Sequence, residues 1–159
     1  MLLTHESYVF DPRPNYPLLT TAKRYWRTNS WDSNDPDAVT LVFLHATGFH
    51  KEVWEPTMED LYSFADAREL KIREMWSIDA PNHGEAAILN EKSLLWGYEP
   101  ICELARVGVS RRFTISLVGW EEYARCLHAF LAGLGSGINV DFRSRKLVGI
   151  GHSMGAISL

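Results

Sequence analysis

Short apolar runs between polar or turn-forming segments recur along the chain and predict buried strands. The clearest is Val39–Leu44 (VTLVFL), which is rich in β-branched side chains and shows no polar alternation. Glu74–Ile78 (EMWSI) is predicted as the next strand, and Lys146–Ile150 (KLVGI) is again short and apolar. Runs of this kind are typical of strands buried on both faces, as in a parallel sheet covered by helices.

Two stretches with helical periodicity separate these strands. A helix is predicted from about Pro56 to Leu70, because proline suits the first helical turn. A second is predicted over Trp120–Leu134, with Gly133 and Gly135 marking its end. The apolar residues at helical spacing are Met58, Leu61, Tyr62, Ala65 and Leu70 in the first, and Tyr123, Ala124, Leu127, Phe130, Leu131 and Leu134 in the second. Alternating strands and helices predict an α/β fold with a mainly parallel sheet and flanking helices.

The N-terminal region is predicted to be extended. Tyr8–Phe10 and Ala22–Arg27 are candidate strands joined by a proline-bearing connection. Thr28–Ala38 is dense in Asn, Asp, Ser and Pro, which is typical of a loop.

Composition and charge narrow the functional class. The 159 residues fit one domain, and 46% hydrophobic with 23% charged residues is typical of a globular protein. A net charge of −4 provides no basic field for nucleic acid or an anionic membrane. No apolar run approaches the roughly 20 residues of a membrane span, and the N-terminus lacks the pattern of a signal peptide. We therefore expect an intracellular protein with no membrane span and no nucleic-acid partner.

The cysteines and histidines indicate no cofactor. Cys102 and Cys126 are far apart and fit neither a disulfide scaffold nor a zinc site. The six histidines show no metal-binding spacing, so no metal is expected.

Gly151–Gly155 (GHSMG) matches the pattern G-x-S-x-G directly after a predicted strand. A serine nucleophile there projects from a sharp strand-to-helix turn, where side chains at Gly151 and Gly155 would collide. The backbone N–H of Met154 can then face a developing oxyanion. An incidental serine in a glycine-rich connection is the alternative, and the context favours Ser153 as a nucleophile.

A second turn, His45–Phe49 (HATGF), follows the predicted strand Val39–Leu44. Active sites of α/β sheets lie at the carboxyl ends of the strands, so the N–H of Thr47 is a candidate second oxyanion donor. We expect His45, Gly48 and Phe49 to support this turn, with His45 a buried imidazole bonded to backbone rather than a catalytic base.

A third loop, Asp79–Gly84 (DAPNHG), follows the predicted strand Glu74–Ile78. Pro81 and Gly84 are expected to shape its turn, while hydrogen bonds from Asp79 and His83 hold it in place. A catalytic role for Asp79 or His83 is the less favoured alternative.

These three loops, in this order, resemble the N-terminal part of an α/β-hydrolase. The block His45–Pro56 (HATGFHKEVWEP) is similar to HGTGFHKEVWEP in fungal hydrolases of toxin and secondary-metabolite biosynthesis. That group includes the AK-toxin hydrolases and the mycophenolic-acid acyl-CoA hydrolases. The resemblance runs from about Tyr8 to Leu159.

The resemblance implies a serine hydrolase acting on an ester or acyl-CoA thioester, with a small-molecule substrate. It implies Ser153 as the nucleophile, and Met154 and Thr47 as oxyanion donors. It also suggests a peroxisomal setting, although the C-terminal Ile-Ser-Leu lacks the basic residue of a peroxisomal signal. The cytoplasm is the alternative.

Ala46 departs from the family pattern, which has glycine there. If the turn required positive φ at this position, the methyl group would displace the Thr47 N–H. Loss of one oxyanion donor typically lowers the rate by about 10²–10³-fold.

The stretch from about Cys102 to Gly119 also departs from the pattern, because it has three arginines and no clear periodicity. Gly97–Pro100 would join naturally to Trp120–Tyr123. We hypothesise that residues 102–119 are either an atypical insertion or translated from a retained intron. A spliced message that still encodes the stretch would contradict the intron.

The third departure is the C-terminal sequence. In α/β-hydrolases the nucleophile is followed by an acid and then a histidine. Met154–Leu159 contains neither. We therefore expect an α/β-hydrolase fold truncated after the nucleophile elbow, and two functions remain open. One is a serine hydrolase that is incomplete here; the other is a catalytically inactive remnant or interaction piece.

Overall fold

The computed structural model describes residues 3–28, 35–95 and 119–159. Within these ranges the protein forms one five-stranded mixed sheet in the order β1-β2-β4-β3-β5. The strands are β1 (Thr4–Phe10), β2 (Thr20–Trp26), β3 (Val39–Leu44), β4 (Ile72–Ile78) and β5 (Lys146–Gly151). The predicted α/β fold is confirmed, and β3, the clearest apolar run of the sequence, is paired on both sides.

The pairing of the strands divides the sheet into two halves. β3 pairs in parallel with β4 on one side and with β5 on the other, as the apolar runs predict. β1 pairs with β2, and β2 with β4, in antiparallel register. The sheet is therefore mixed rather than mainly parallel, because the N-terminal strands form an antiparallel extension of the parallel half.

Helices follow the strands of the parallel half. They are α1 (Glu55–Ala67), α2 (Gly84–Leu89), α3 (Glu91–Leu95), α4 (Trp120–Ala132) and α5 (Met154–Ser158), with 3-10 turns at Lys51–Trp54 and Phe142–Ser144. α1 has its proline in the first turn, and α4 ends at Gly133 in the left-handed conformation (φ 69°). Within the described ranges, each helix is too short or too polar to cross a membrane.

The two long helices cover opposite faces of the sheet. Leu41 and Phe43 of β3 pack in one core cluster with Met58 and Tyr62 of α1. Val42 and Leu44, which point to the other face, pack in a second cluster with residues of α4. The alternation along β3 explains why its sequence is apolar throughout: each face of the strand meets a helix.

The N-terminal hairpin is attached to the segment after α4 by a two-way backbone bridge. The N–H of Asp11 donates to the carbonyl of Ser136 at 3.0 Å, and the N–H of Ser136 donates to the carbonyl of Asp11 at 2.9 Å. Gly137 (φ 94°) lies so close to the carbonyl oxygen of Val9 that a Cβ would be 2.0 Å from it. Glycine is required at this contact for both reasons.

The helix boundaries correct two details of the sequence prediction. α1 ends at Ala67, so Leu70 lies beyond it and is 60% exposed instead of forming the buried stripe. α4 ends at Ala132, and Leu134 is exposed. In both cases the last apolar residue lies past the left-handed or irregular residue that ends the helix. Cys102 and most of the 102–119 stretch lie outside the described residues.

Candidate active site

The turn from β5 into α5 places Ser153 in a strained backbone conformation. Its φ is 52° and its ψ is −114°, a region that residues with a Cβ rarely adopt. Ser153 is exposed, and its own carbonyl accepts hydrogen bonds from Ala156 and Ile157 of α5. The backbone thus presents the hydroxyl at the carboxyl edge of the sheet.

The glycines on either side of Ser153 allow close backbone contacts. A Cβ on Gly155 would lie 2.2 Å from the carbonyl oxygen of Leu44, at the end of β3. A Cβ on Gly151 would lie 2.5 Å from the backbone nitrogen of Ala156. Both separations are far below van der Waals contact, so no other residue fits without a backbone shift.

The loop after β3 forms a tight turn over Ala46–Phe49, which we call the Thr47 turn. The N–H of Phe49 donates to the carbonyl of Ala46 at 3.1 Å, and Gly48 has a φ of 82°. Positive φ at the third position of a turn is the usual reason for glycine there. Ala46 does not have a positive φ, so the conflict considered for its methyl group does not arise. The position of this turn that requires glycine is 48.

The Thr47 turn and the Ser153 turn meet at the edge of the sheet. The Thr47 hydroxyl contacts the sulfur of Met154 at 3.5 Å. Within the described residues, neither the N–H of Thr47 nor the N–H of Met154 has a hydrogen-bond acceptor. Among the described residues, one donor without an acceptor thus follows the exposed serine and another lies on the turn that contacts Met154, an arrangement suited to a developing negative charge.

His45 is fully buried at the base of the Thr47 turn. Its Nδ1 lies 2.9 Å from the carbonyl oxygen of Ala46, and its Nε2 accepts the N–H of Ala80 at 3.1 Å. These partners fix the neutral form with the proton on Nδ1, and burial lowers the pKa of His45. Both ring nitrogens are occupied by backbone groups, so the imidazole joins two loops and is not available as a base for Ser153.

Asp79 and Lys51 form a buried ion pair beneath the loops. The Asp79 carboxylate accepts hydrogen bonds from the Lys51 N–H at 2.7 Å, the Lys51 ammonium at 2.9 Å and the Thr21 hydroxyl at 2.7 Å. The same ammonium contacts Glu85 at 2.8 Å. Burial alone would lower the pKa of Lys51, but its hydrogen bonds to Glu85 and Asp79 raise it. These contacts indicate that Asp79 holds the loops in place. The loop after β4 also requires glycine at position 84, because a Cβ there would lie 2.4 Å from an oxygen of the Asp79 carboxylate.

Lys51 is a residue that sequence reasoning missed. It lies in the polar stretch His50–Glu52, where a lysine is expected on the surface, yet its side chain is completely buried. No local pattern marks such a residue, because its partners Asp79 and Glu85 follow a different strand, one on the loop after β4 and one on α2.

Residues 41–159, about three quarters of the chain, match the family model of the alpha/beta hydrolase family. The chain belongs to that family. The match confirms the resemblance stated from the three loops and the fold class that it implied.

This alpha/beta hydrolase is 28% identical over 119 residues to the type I acyl-CoA thioesterases mpaH and mpaH' of Penicillium brevicompactum. That alignment covers 75% of the chain and 21% of either thioesterase. The chain is also 30% identical over 141 residues to the peroxisomal membrane protein LPX1 of Saccharomyces cerevisiae. That alignment covers 88% of the chain and 29% of LPX1.

A solved structure has the same fold. The peroxisomal alpha-beta-hydrolase Lpx1 of Saccharomyces cerevisiae matches with a TM-score of 0.59 at 24% identity. The match covers 98% of this chain and 39% of that one. The chain therefore spans well under half the length of the relatives that it matches.

A base for the serine is not found in the described part of this alpha/beta hydrolase. Within residues 3–28, 35–95 and 119–159, the Ser153 side chain makes no hydrogen bond. His152 is exposed next to it, but its ring lies against Phe49, with the centroids 6.3 Å apart. The described site thus contains a candidate nucleophile and two candidate oxyanion donors.

Proposed function

We propose that this chain carries the nucleophile and oxyanion groups of a serine hydrolase that cleaves an ester or an acyl-CoA thioester. The observation that carries the proposal is the exposed Ser153 on its strained turn, together with the N–H groups of Met154 and of the contacting Thr47 turn, which have no acceptor among the described residues. The relatives named as acyl-CoA thioesterases support the thioester, and an ester reacts by the same steps.

In the proposed reaction, the Ser153 oxygen attacks the acyl carbonyl while a base takes its proton. The carbonyl oxygen becomes an oxyanion held by the N–H groups of Thr47 and Met154. Collapse of this intermediate breaks the bond to the leaving thiol or alcohol, which takes up the proton. Water then attacks the acyl-serine, releasing the acid and restoring the hydroxyl.

The first prediction tests the nucleophile. A fluorophosphonate probe is expected to label the protein at Ser153, and Ser153→Ala abolishes labelling because the attacking oxygen is gone. Ser63→Ala is the matched control, since Ser63 is exposed on α1 and bonds only to the carbonyl of Glu59. The measurement is in-gel fluorescence with the labelled peptide identified by mass spectrometry, together with thiol release from an acyl-CoA.

Because no described group accepts the Ser153 proton, labelling of the 159-residue chain is expected to be slow. Labelling that persists in Ser153→Ala, or a folded chain that is not labelled at all, would contradict the proposed function. The second result would favour the alternative of a non-catalytic binding or interaction piece, which the unpaired Ser153 hydroxyl also fits.

The proposed setting is the peroxisome, in fungal toxin or secondary-metabolite biosynthesis, with the cytoplasm as the alternative. The support is the peroxisomal name of the yeast relative and the thioesterase name of the Penicillium relatives. Imaging of the tagged protein against a peroxisomal marker distinguishes the two compartments.

A further inference from the structure

His83 lies where the loop after β4 meets the first residue of α2. Its backbone is extended (φ −129°, ψ 157°), and its N–H donates to the carbonyl of Ala80 at 2.9 Å. The half-buried ring therefore projects from a rigid loop toward the end of β3, and its centroid lies 5.1 Å from that of His45.

The His83 ring accepts a hydrogen bond from the Thr47 turn. The N–H of Gly48 points at Nε2, and the two nitrogens are 3.1 Å apart. A backbone N–H can only donate, so Nε2 must be unprotonated. The other ring nitrogen, Nδ1, lies 2.7 Å from the side-chain oxygen of Asn82, which accepts its proton. The two contacts together require the neutral ring with the proton on Nδ1.

The bond from Gly48 holds the central peptide of the Thr47 turn. This peptide joins Thr47 to Gly48, and its rotation would change the φ of Gly48, which is held at 82°. The other hydrogen bond of the turn, from Phe49 to Ala46, closes its ends and leaves the central peptide unfixed. Among the described residues, His83 is thus the acceptor that fixes the peptide next to the Thr47 N–H.

We propose that His83 is a positioning residue: its neutral ring holds the Thr47 turn in the conformation that presents the Thr47 N–H, and protonation of the ring releases it. This inference rests on the proposed function, because it assigns the Thr47 N–H to the oxyanion. A protonated Nε2 is a donor facing a donor, so the bond to Gly48 is lost.

The groups around the ring are consistent with a neutral His83 at pH 7. Burial lowers the pKa of His83 below its ordinary value of about 6.5, while the negative charge of Asp79 opposes the shift. The other titratable neighbour is His45 at the end of β3, whose pKa burial also lowers. The Lys51 ammonium is held by the carboxylates of both Asp79 and Glu85. Protonation of the ring is therefore expected below about pH 6.5.

The test compares His83→Gln with His83→Leu in the full protein. The glutamine oxygen replaces Nε2 with an acceptor that does not titrate, whereas leucine offers no acceptor. His128→Gln, at an exposed histidine on α4, is the control for loss of an imidazole alone. Two quantities are measured between pH 7.5 and 5: the Gly48 amide resonance by NMR, and the rate at which a fluorophosphonate modifies Ser153.

In the unaltered protein, the Gly48 resonance is expected to follow the titration of the His83 ring with the same midpoint. The labelling rate is expected to fall over the same range. In His83→Gln, the Gly48 resonance and the labelling rate are expected to lose the pH dependence that comes from the His83 ring, and the rate at pH 7.5 is kept. In His83→Leu, the labelling rate at pH 7.5 is expected to fall by about 10-fold to 100-fold. A merely structural histidine would not separate the glutamine and leucine variants in this way.

Two results would overturn the inference. A Gly48 resonance that does not change when the His83 ring titrates would show that the hydrogen bond between them is absent. Equal labelling rates in His83→Gln and His83→Leu would show that this hydrogen bond does not affect the reactivity of Ser153. If Ser153 reacts in none of the variants, the proposed function fails as well. A reactive Ser153 with a Gly48 amide independent of His83 contradicts this inference alone.

Discussion

At the scale of single residues, the site depends on backbones that approach more closely than any side chain allows. Ser153 keeps its positive φ because α5 and the end of β3 hold both sides of its turn. The N–H of His152 donates to the carbonyl of Leu44 at 3.1 Å, and Gly155 packs against the same carbonyl. The conformation of the serine is therefore tied to Leu44, the last residue of β3.

Gly155→Ala is expected to lower the free energy of unfolding by about 3 kcal/mol, because its Cβ would meet the Leu44 carbonyl oxygen at 2.2 Å. Helix propensity alone would favour alanine in α5 by about 1 kcal/mol, so the sign of the change separates the two effects. Urea denaturation measures it.

The matched control is Gly119→Ala at the start of α4. A Cβ there meets nothing within 4 Å among the described residues, and the φ of −67° is one that alanine adopts readily. Its cost is expected to stay below about 1 kcal/mol. Equal losses in the two variants would show that the contact with Leu44 is not the cause.

At the scale of elements, the sheet and its two long helices follow from local patterns. The continuous apolar run of β3 predicted that the strand is buried on both faces. In the structure, α1 packs against one face and α4 against the other. The antiparallel pairing in the N-terminal half of the sheet was not predicted. The sequences of Tyr8–Phe10 and Ala22–Arg27 indicate that the chain is extended there, but they do not indicate which strands pair. Strand order depends on contacts between distant segments, which local periodicity does not record.

Phe130 is one of the aromatic residues through which α4 packs against its face of the sheet. Its ring centroid lies 5.3 Å from that of Phe10, 5.6 Å from Trp76 and 5.2 Å from Phe142. Phe130→Ala is expected to lower the free energy of unfolding by about 3–5 kcal/mol, because it leaves a cavity among these rings. Thermal and urea unfolding measure the change.

Phe64→Ala is the control on α1, where the side chain is 58% exposed and the same atoms are removed. Its effect is expected to remain below about 1 kcal/mol. A loss at Phe130 no larger than that at Phe64 would mean that the aromatic cluster does not hold α4 on the sheet.

At the scale of the whole molecule, the site could be predicted in part. The Ser153 and Thr47 turns were found because each follows an apolar strand and carries its own glycine. The Lys51–Asp79 pair and the acceptor role of His83 were not, since each joins residues brought together only by the parallel pairing of β3 and β4. The sequence motifs predict the candidate groups of the site, whereas the hydrogen bonds and ion pairs that hold their loops depend on the assembled sheet.

β5 forms the edge of the described sheet opposite β1, and its exposure predicts that the chain self-associates. Within the described residues β5 pairs with β3 alone, and its Leu147 and Val148 are 39% and 44% exposed. A polypeptide of these 159 residues is expected to self-associate through this edge, because unpaired strand edges template pairing. Leu147→Lys is expected to reduce association, as a charge does on natural edge strands.

Sedimentation velocity over a range of concentrations measures this association. Ile88→Lys on α2, where the side chain is 73% exposed, is the control for adding a charge elsewhere. A chain that stays monomeric at all concentrations, or equal suppression by both substitutions, would contradict association through β5.

The bridge between Asp11 and Ser136 has a consequence for the order in which the protein is made. It joins the end of the first strand to a residue that follows α4, and the loop that it closes contains β2, β3 and β4. During synthesis, the ribosome releases the hairpin of β1 and β2 long before Ser136 emerges. β2 can pair with β4 once Ile72–Ile78 has been made, but the bridge from Asp11 must wait for nearly the whole chain, because closing so long a loop costs entropy that only the later contacts repay. The end of the N-terminal strand, although made early, is thus among the last parts to be secured.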